Sequence, residues 1–194
     1  NETANGTVFD TVFFRDPCNT KNSLENFVQK LTSENFRNLC SQNCTLVVTQ
    51  KIPQLTQRLS SLILKARTAN PKERELLEKM LSAEDKFYTG KSGNENTDAY
   101  FSWTSKDLIK NLISCNFKTK VAELPLTENK FINAGDIEKW FDPAHSSYAK
   151  FILNELGQND FNSLHEIFLR LCAKHTVKWN STIAIVVCSK STEN

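Results

Sequence analysis

Glycine is scarce in this sequence, and its scarcity excludes several kinds of catalytic site. Only 5 glycines occur in 194 residues, fewer than the ~7% of an average protein. A nucleophile elbow G-x-S-x-G, a P-loop and a dinucleotide-binding G-x-G-x-x-G are all absent, and so is the zinc helix H-E-x-x-H. The sequence therefore predicts no catalytic residue, no cofactor and no metal. Low glycine content also favours helices.

The sequence also lacks a long apolar run and an excess of charge. The longest strongly apolar run, Ile183 to Cys188, is far shorter than the ~20 residues of a membrane-spanning helix. With 24 basic and 22 acidic residues, the net charge is only +2, so the basic surface typical of nucleic-acid binding is not expected. The length fits one domain. We expect no membrane span in this chain and no nucleic-acid partner.

The sequence does contain acceptor triplets for N-glycosylation. Four Asn-x-Ser/Thr triplets begin at Asn1, Asn5, Asn43 and Asn180, and none has proline in the middle. Two of them lie in residues 1–8, which we expect to be a flexible glycosylated leader. The first residue is not Met, as in a chain whose signal peptide has been removed or a segment of a larger protein. We predict glycosylation at these four asparagines, and a secreted protein or the extracellular side of a membrane protein.

Cysteine is the second feature that favours an extracellular chain. The count is even, at 6, which in a secreted protein is typical of a disulfide framework. Zinc is the alternative, since two cysteines stand four residues apart, but no C-x2-C pair occurs and the other spacings are irregular. We predict that all six cysteines form disulfide bonds: Cys18, Cys40, Cys44, Cys115, Cys172 and Cys188.

Apolar periodicity predicts helices over most of the chain. Capping signals begin two of them, at Asn70 with Pro71 and Glu73 and at Thr104 with Asp107. The predicted helices cover about 23–40, 53–66, 70–81, 104–115, 135–141, 146–157 and 160–175. Residues 116–126 alternate poorly and are expected to be an extended connection.

β-Branched residues cluster near both ends of the chain. They occupy the segment Val177 to Cys188 and the N-terminal segment TVFDTVFF, and both are therefore predicted to be strands that pair with each other. The predicted fold class is mainly α, a disulfide-bonded, helical bundle-like single domain over residues 1–194. Its N- and C-terminal strands are expected to form a small β-sheet.

The least regular stretch predicts an exposed loop at residues 89–98, which hold two glycines and no apolar residue. Aromatic residues flank it, and Tyr and Trp are enriched at binding hot spots. The alternative is that the aromatics anchor the loop ends in the core, which is what we expect for Trp103. The residues predicted to bind a partner are Tyr88, Lys91, Asn94, Asn96, Tyr100 and Trp140.

The first three cysteines suggest one comparison with a known family. Cys18 and Cys40-x3-Cys44 resemble the opening of the six-cysteine insect odorant-binding proteins, which are helical carriers of small apolar ligands. The later gaps, to Cys115 and beyond, are too long for that family, so no residue role is carried over. The resemblance implies only that a disulfide-tied helical shell can enclose a ligand cavity.

Two main hypotheses about function follow. The first is an extracellular recognition module, a receptor ectodomain or a secreted ligand, that binds a protein partner at the cell surface or in extracellular fluid. The alternative is a helical, disulfide-tied carrier of a small apolar ligand. An enzyme of unfamiliar type is a third hypothesis, because no motif identifies one.

Overall fold

The structure is a computed structural model that describes residues 8–18, 21–66, 69–89 and 103–190. Within these ranges the chain forms four β-strands and eight α-helices, with a short 3-10 helix at Pro53–Leu55. The strands are β1 (Phe9–Arg15), β2 (Cys40–Lys51), β3 (Phe117–Ile132) and β4 (His175–Lys190). The helices are α1 (Lys21–Thr32), α2 (Glu34–Asn38), α3 (Leu59–Ala66), α4 (Pro71–Thr89), α5 (Ser105–Ser114), α6 (Ala134–Trp140), α7 (Ser147–Leu156) and α8 (Gln158–Cys172).

The four strands form one mixed sheet in the order β1-β2-β4-β3. Strand β1 pairs with β2 in parallel, and β4 pairs with β2 in the antiparallel direction. Parallel neighbours need a crossover connection, and helices α1 and α2 supply it between β1 and β2. The protein therefore has an α/β fold.

The predicted mainly α, disulfide-bonded fold is wrong. All six cysteines are free thiols, so no disulfide ties the helices together. The N- and C-terminal strands do not pair with each other, because β2 lies between β1 and β4. Strand β2 begins with a polar segment, and β3 is an edge strand that is exposed along almost its whole length, so neither shows the alternation that identifies a half-buried strand.

The predictions of individual helices were more accurate. The capping signals are confirmed: Asn70 Oδ1 accepts a hydrogen bond from the Glu73 N–H at 3.0 Å, and the Thr104 N–H donates to Asp107 Oδ2 at 2.7 Å. Gly157 follows α7 with a φ of 81°, a conformation that glycine adopts without strain. These local signals act within a few residues, which is why sequence alone locates them.

The first predicted helix, about 23–40, is interrupted. Its second part is the short helix α2, which begins after Ser33, because Ser33 Oγ accepts a hydrogen bond from the Phe36 N–H at 3.3 Å. The N-cap geometry at Ser33 starts a new helix, and the chain enters β2 at Cys40. Helix α2 therefore leads directly into a strand that the sequence analysis did not predict in full.

Contacts between Cα atoms divide the chain into two compact units, each built from separate segments. Unit 1 comprises Asn1–Leu55, Trp103–Pro125 and Thr182–Asn194, and unit 2 comprises Thr56–Ser102 and Leu126–Ser181. The prediction of a single domain stays untested. The predicted leader at 1–8 and loop at 89–98 lie outside the described residues, except for Val8 and Thr89.

Unit 1 has its core on one face of its part of the sheet. The register pairs Leu46 with Cys188 and Val48 with Val186, and all four side chains are buried. Helices α1 and α5 supply the facing apolar side chains, which are Leu24, Phe27, Leu31, Leu108 and Leu112. Trp103 is only 2% exposed in this cluster, which confirms its predicted place in a core.

Unit 2 contains a mainly helical core. Its helices α3, α4, α6, α7 and α8 present apolar side chains at helical spacing, and aromatic rings fill the centre. Phe87 meets Phe151 with ring centroids 5.3 Å apart, and Phe168 meets Phe141 at 5.4 Å. The largest fully buried side chains here include Phe87, Phe168, Leu77, Met80, Ile137 and Ile152.

Candidate ligand pocket

Unit 1 contains a cavity of about 290 Å³, which we call the thiol pocket. This volume is at the lower end of the range for small-molecule sites. Three cysteines, four apolar side chains and two basic side chains contribute to its wall. The lining residues are Leu31, Thr32, Phe36, Arg37, Cys40, Cys44, Leu46, Cys115, Asn116, Phe117 and Lys190.

An irregularity in β2 places two of the cysteines in the pocket wall. Phe9 pairs with Cys40, but Thr11 pairs with Thr45, so the register between β1 and β2 shifts between these two positions. Such β-bulges re-aim side chains and are common next to functional sites. Cys40 and Cys44 are both buried on either side of the irregular segment, and they share one wall of the cavity.

A tight turn brings the third cysteine to the same cavity. Helix α5 ends at Ser114, and Asn116 adopts a left-handed conformation with φ 63°, which Asn tolerates better than most residues. The Asn116 N–H donates to the Ile113 carbonyl at 3.0 Å. The turn reverses the chain into β3, so that Cys115 and Phe117 reach the pocket from a different direction than Cys40 and Cys44.

The thiol of Cys44 is neutral at ordinary pH. Burial raises its pKa to about 11, and a hydrogen bond with the Cys40 side chain raises the pKa further, while nearby Lys190 opposes these effects. A nucleophilic cysteine needs a lowered pKa, because the thiolate is the reactive form. Cys44 is therefore suited to contact a ligand through its sulfur atom and not to attack it.

The charged side chains of the pocket wall are both basic. Arg37 comes from α2 and Lys190 from the end of β4, and both are exposed. Among the described lining residues none is acidic, although Asp10 lies close enough to act on the Cys44 thiol. Two cations at the rim of an apolar cavity attract an anion, with a strength that salt reduces. Among the residues that the structure describes, no group of three or more His, Cys, Asp or Glu side chains can hold a metal ion.

A second polar cluster, in unit 2, centres on the buried carboxyl group of Glu84. Its Oε1 accepts from the Leu59 N–H at 2.6 Å and from the Tyr148 hydroxyl at 2.8 Å. Its Oε2 accepts from the N–H and the hydroxyl of Ser60. Leu59 and Ser60 are the first residues of α3, so the Glu84 carboxyl group caps this helix from a distant part of the chain.

The side chains around Glu84 have a structural role. Burial raises the pKa of Glu84 and outweighs its four hydrogen bonds, which favour the charged form. Burial and the nearby Glu84 carboxyl also raise the pKa values of Tyr88 and Tyr148. The Arg58 guanidinium stacks 4.0 Å from the centre of the Tyr88 ring and pairs with Asp85 at 3.0 Å. Both carboxyl oxygens of Glu84 already accept two hydrogen bonds each, so the cluster stabilises α3 and leaves no acceptor for a ligand.

The carboxyl ends of parallel strands are the usual ligand site of open α/β sheets. Here the ends of β1 and β2 bind each other: the Lys51 N–H donates to Asp16 Oδ1 at 2.8 Å. The Gln50 side chain forms a reciprocal pair with the Cys18 backbone, at 2.9 and 2.7 Å. These contacts use the polar groups of Asp16 and Gln50 to hold the strand ends together.

The predicted glycosylation sites differ in their surroundings. Asn43 is exposed in the irregular segment of β2. Asn180 is half-buried, its amide Nδ2 donates to Gln57 Oε1 at 3.2 Å, and its Oδ1 accepts from the Thr127 hydroxyl at 2.8 Å. A glycan on Asn180 would replace one of the two hydrogens on this half-buried Nδ2. Asn1 and Asn5 lie outside the described residues, and glycosylation stays a prediction at all four sites.

The structure does not bring the predicted binding residues together. Tyr88 is 7% exposed, within the core of unit 2. Trp140 is half-buried, its ring 5.9 Å from the ring of Trp179, which in turn lies under the Lys130 ammonium group at 4.3 Å. The other predicted binding residues lie outside the described residues: Lys91, Asn94, Asn96 and Tyr100. Their role in binding stays a prediction.

The pocket cysteines are among those predicted to form disulfide bonds. The even number of cysteines predicts pairing, whereas the structure places Cys40, Cys44 and Cys115 around a cavity as free thiols. The remaining cysteines are buried free thiols, and burial raises the pKa of Cys18 to about 12 and those of Cys172 and Cys188 to about 11. Arg37 and Lys190 carried no sequence signal, because the fold alone brings them to the pocket.

Comparisons with known proteins define no family for this chain. No family model matches the sequence, and no curated protein matches it. The structure is similar to a protein of Bacillus halodurans C-125 that is provisionally described as a methyltransferase, with 9% sequence identity and a TM-score of 0.40. The alignment covers 95% of this chain but only 65% of that protein.

These findings correct the predicted function. The hypotheses of an extracellular recognition module and of a helical, disulfide-tied carrier are wrong, since the fold is a mixed-sheet α/β structure with free thiols. The description of a disulfide-bonded receptor is wrong for the same reason. The compartment itself stays a prediction. Among the described helices, none is long and apolar enough to cross a membrane.

Proposed function

We propose that unit 1 binds a small organic anion with an aromatic body in the thiol pocket. One observation carries this proposal: a cavity of about 290 Å³ combines apolar and sulfur-containing walls with two basic side chains and no acidic one among its described lining residues. A few polar groups that converge among apolar side chains are the usual composition of a small-molecule site.

The walls favour an aromatic ligand body. Phe36 and Phe117 supply ring surfaces, and Cys40, Cys44 and Cys115 supply polarisable sulfur. Sulfur atoms make favourable contacts with aromatic rings, and aromatic rings pack edge to face with one another. A neutral Cys44 thiol contributes such a contact without repelling an anion, whereas a thiolate would repel it.

The rim favours a negative charge on the ligand. Arg37 presents a planar fork of donors that matches a carboxylate, and Lys190 presents a compact ammonium group. Both are exposed, so each contributes only about 1 kcal/mol to attraction in water. The apolar walls are therefore expected to supply most of the affinity and the two cations to supply the preference for an anion.

Titration with naphthoate tests this proposal. Calorimetry and NMR chemical shifts should show that naphthoate binds more tightly than neutral naphthylmethanol or cationic naphthylmethylamine. The double variant Arg37→Gln/Lys190→Gln should bind naphthoate about tenfold more weakly, since losing two exposed cations costs on the order of 1 to 2 kcal/mol.

The matched control is Lys106→Gln/Lys110→Gln, which removes the same charge from exposed positions of α5 outside the pocket wall. Its affinity for naphthoate should equal that of the wild type. Equal affinity for all three probes, or an unchanged affinity in the Arg37/Lys190 double variant, overturns the proposal.

A further inference from the structure

The two edges of the sheet differ in how they are protected from pairing with another strand. Strand β3 forms one edge and contains Lys118, Lys120 and Pro125, which are residues that discourage edge pairing. Strand β1 forms the other edge, and its sequence FDTVFFR contains neither lysine nor proline; its charged residues, Asp10 and Arg15, lie near its two ends. Its 7 residues span about 23 Å of backbone, and no strand among the described residues pairs with its outer side.

Strand β1 also exposes a large aromatic side chain. Phe13 is 62% exposed, although Phe14 beside it packs on Phe27 and Phe36. The register aligns Phe13 with Val47 of β2 and with Val187 of β4, so an apolar row crosses three strands on the side opposite to the core of unit 1. Parallel strands are normally covered on both faces, and this row ends at an open edge.

We propose that two copies of this chain associate through their β1 strands, which pair antiparallel across a two-fold axis at Phe13. The proposal is independent of the thiol pocket. A two-fold interface requires a surface that is complementary to itself, and the residues of β1 beyond its irregular start provide one.

Self-pairing about Phe13 gives a ladder over residues 11–15 with favourable neighbours on both faces, and Asp10 and Asp16, which face each other in this register, lie beyond its two ends. Phe13 lies opposite the same residue of the second copy, which forms an aromatic pair, and Thr11 lies opposite Arg15. On the face that carries the core, Val12 lies opposite Phe14, a β-branched and aromatic pair. Aromatic and mixed aromatic pairs of this kind stabilise antiparallel strands. The apolar row of Phe13, Val47 and Val187 then continues into the second copy.

The interface is small, so we expect the dimer to be weak. Pairing of one short strand buries less than the ~1,600 Å² of a standard interface, so the dimer should form reversibly and depend on concentration. Sedimentation velocity from about 1 µM to about 500 µM should show the average mass rise from that of one chain toward that of two.

Phe13→Lys is the decisive variant, because it introduces a charge at the axis and should keep the protein monomeric over the whole range. Since Phe13 is exposed, folding should be preserved, and circular dichroism checks this. Phe13→Gln is the milder variant if Phe13→Lys fails to fold, and it should shift dimer formation to at least tenfold higher concentration. The matched control, Phe131→Lys, changes an exposed phenylalanine on the protected edge β3 and should dimerise as the wild type does.

Three results overturn the proposal. A wild-type protein that stays monomeric up to the highest concentration shows that the edge does not pair with itself. A folded Phe13→Lys or Phe13→Gln variant that dimerises as the wild type does places the interface elsewhere. A mass that grows beyond two chains excludes a closed two-fold pair.

Discussion

The buried side chains of Glu84 and Gln57 in unit 2 have their hydrogen-bond partners within that unit, whereas unit 1 has a cavity lined by cysteines and an exposed aromatic side chain. In unit 2, the buried Glu84 carboxyl group accepts four hydrogen bonds, and the Gln57 side chain binds Asn180 and Ser61. In unit 1, three cysteines surround a cavity, and Phe13 lies exposed on an edge strand. The two units of one chain therefore differ in how their buried and exposed groups are used.

The difference indicates where function is built. A closed polar network stabilises a fold but offers no group to a ligand, whereas a cavity and an open strand edge leave contacts for another molecule to complete. We therefore expect ligand binding in unit 1, as proposed above, and a structural role for the Glu84 cluster of unit 2. Each prediction below tests one side of this comparison.

The largest expected effect is loss of an aromatic side chain from the core of unit 2. Phe168 is fully buried against Phe141 and Trp140, so Phe168→Ala should lower the free energy of unfolding by about 3 to 5 kcal/mol. Urea denaturation followed by circular dichroism measures this change. Phe131→Ala, at a position that is 58% exposed in the same unit, should cost less than about 1 kcal/mol. Equal losses would mean that the aromatic cluster is not the core of unit 2.

The next effect is a dependence of stability on pH that arises from Glu84. Burial raises its pKa above the ordinary value of 4.5, so the stability that the neutral carboxyl group contributes is fully present below about pH 4.5. This contribution is lost as the pH rises through the pKa of the folded state. The melting temperature of the wild type, relative to Glu84→Gln, should therefore be highest in acid and fall toward neutral pH.

Glu75→Gln provides the comparison for this pH dependence, because Glu75 is exposed on the same helix and pairs with Lys79 at the surface. Its difference in melting temperature from the wild type should vary little with pH. A Glu84→Gln difference that is flat across the range would show that the carboxyl group titrates as an exposed one does.

A smaller effect is expected at the helix caps, and it should be similar in both units. Thr104 begins α5 in unit 1, where its N–H and its hydroxyl donate to Asp107 Oδ2, and Asn70 caps α4 in unit 2 through a reciprocal pair with Glu73. Thr104→Ala and Asn70→Ala should each lower the free energy of unfolding by about 1 kcal/mol. Chemical denaturation of both variants measures it, and a loss confined to one unit would show that its cap is replaced by other contacts.

The caps also show which part of the fold can be predicted from sequence. A capping pair such as Asn70 and Glu73 acts over three residues, so the sequence contains the whole interaction. Strand β3 depends on distant pairing: its exposed, charged residues are tolerated because it lies at the edge of the sheet, and no local pattern reveals that position. The same holds for β2, whose central position requires β1 and β4 as neighbours.

The candidate site was only half predictable for the same reason. The sequence identifies Cys40 and Cys44 as candidate functional residues. Their spacing, however, does not distinguish a disulfide bond from a shared cavity wall. The fold brings Cys40 and Cys44 close to Cys115 and places Lys190, at the end of β4, beside the same pocket. A residue that becomes functional only through long-range packing has no signature of its own.

Alkylation of Cys115 tests the central claim, that unit 1 holds a ligand pocket lined by free thiols, most directly. Cys115 is half-buried, whereas the other five cysteines are buried. Iodoacetamide without reductant, followed by mass spectrometry, should modify Cys115 first in the native protein and all six cysteines after unfolding. Saturating naphthoate should slow the modification of Cys115, and naphthylmethylamine should not. Cysteines that stay blocked in the unfolded protein, or a Cys115 rate that naphthoate leaves unchanged, would contradict the account.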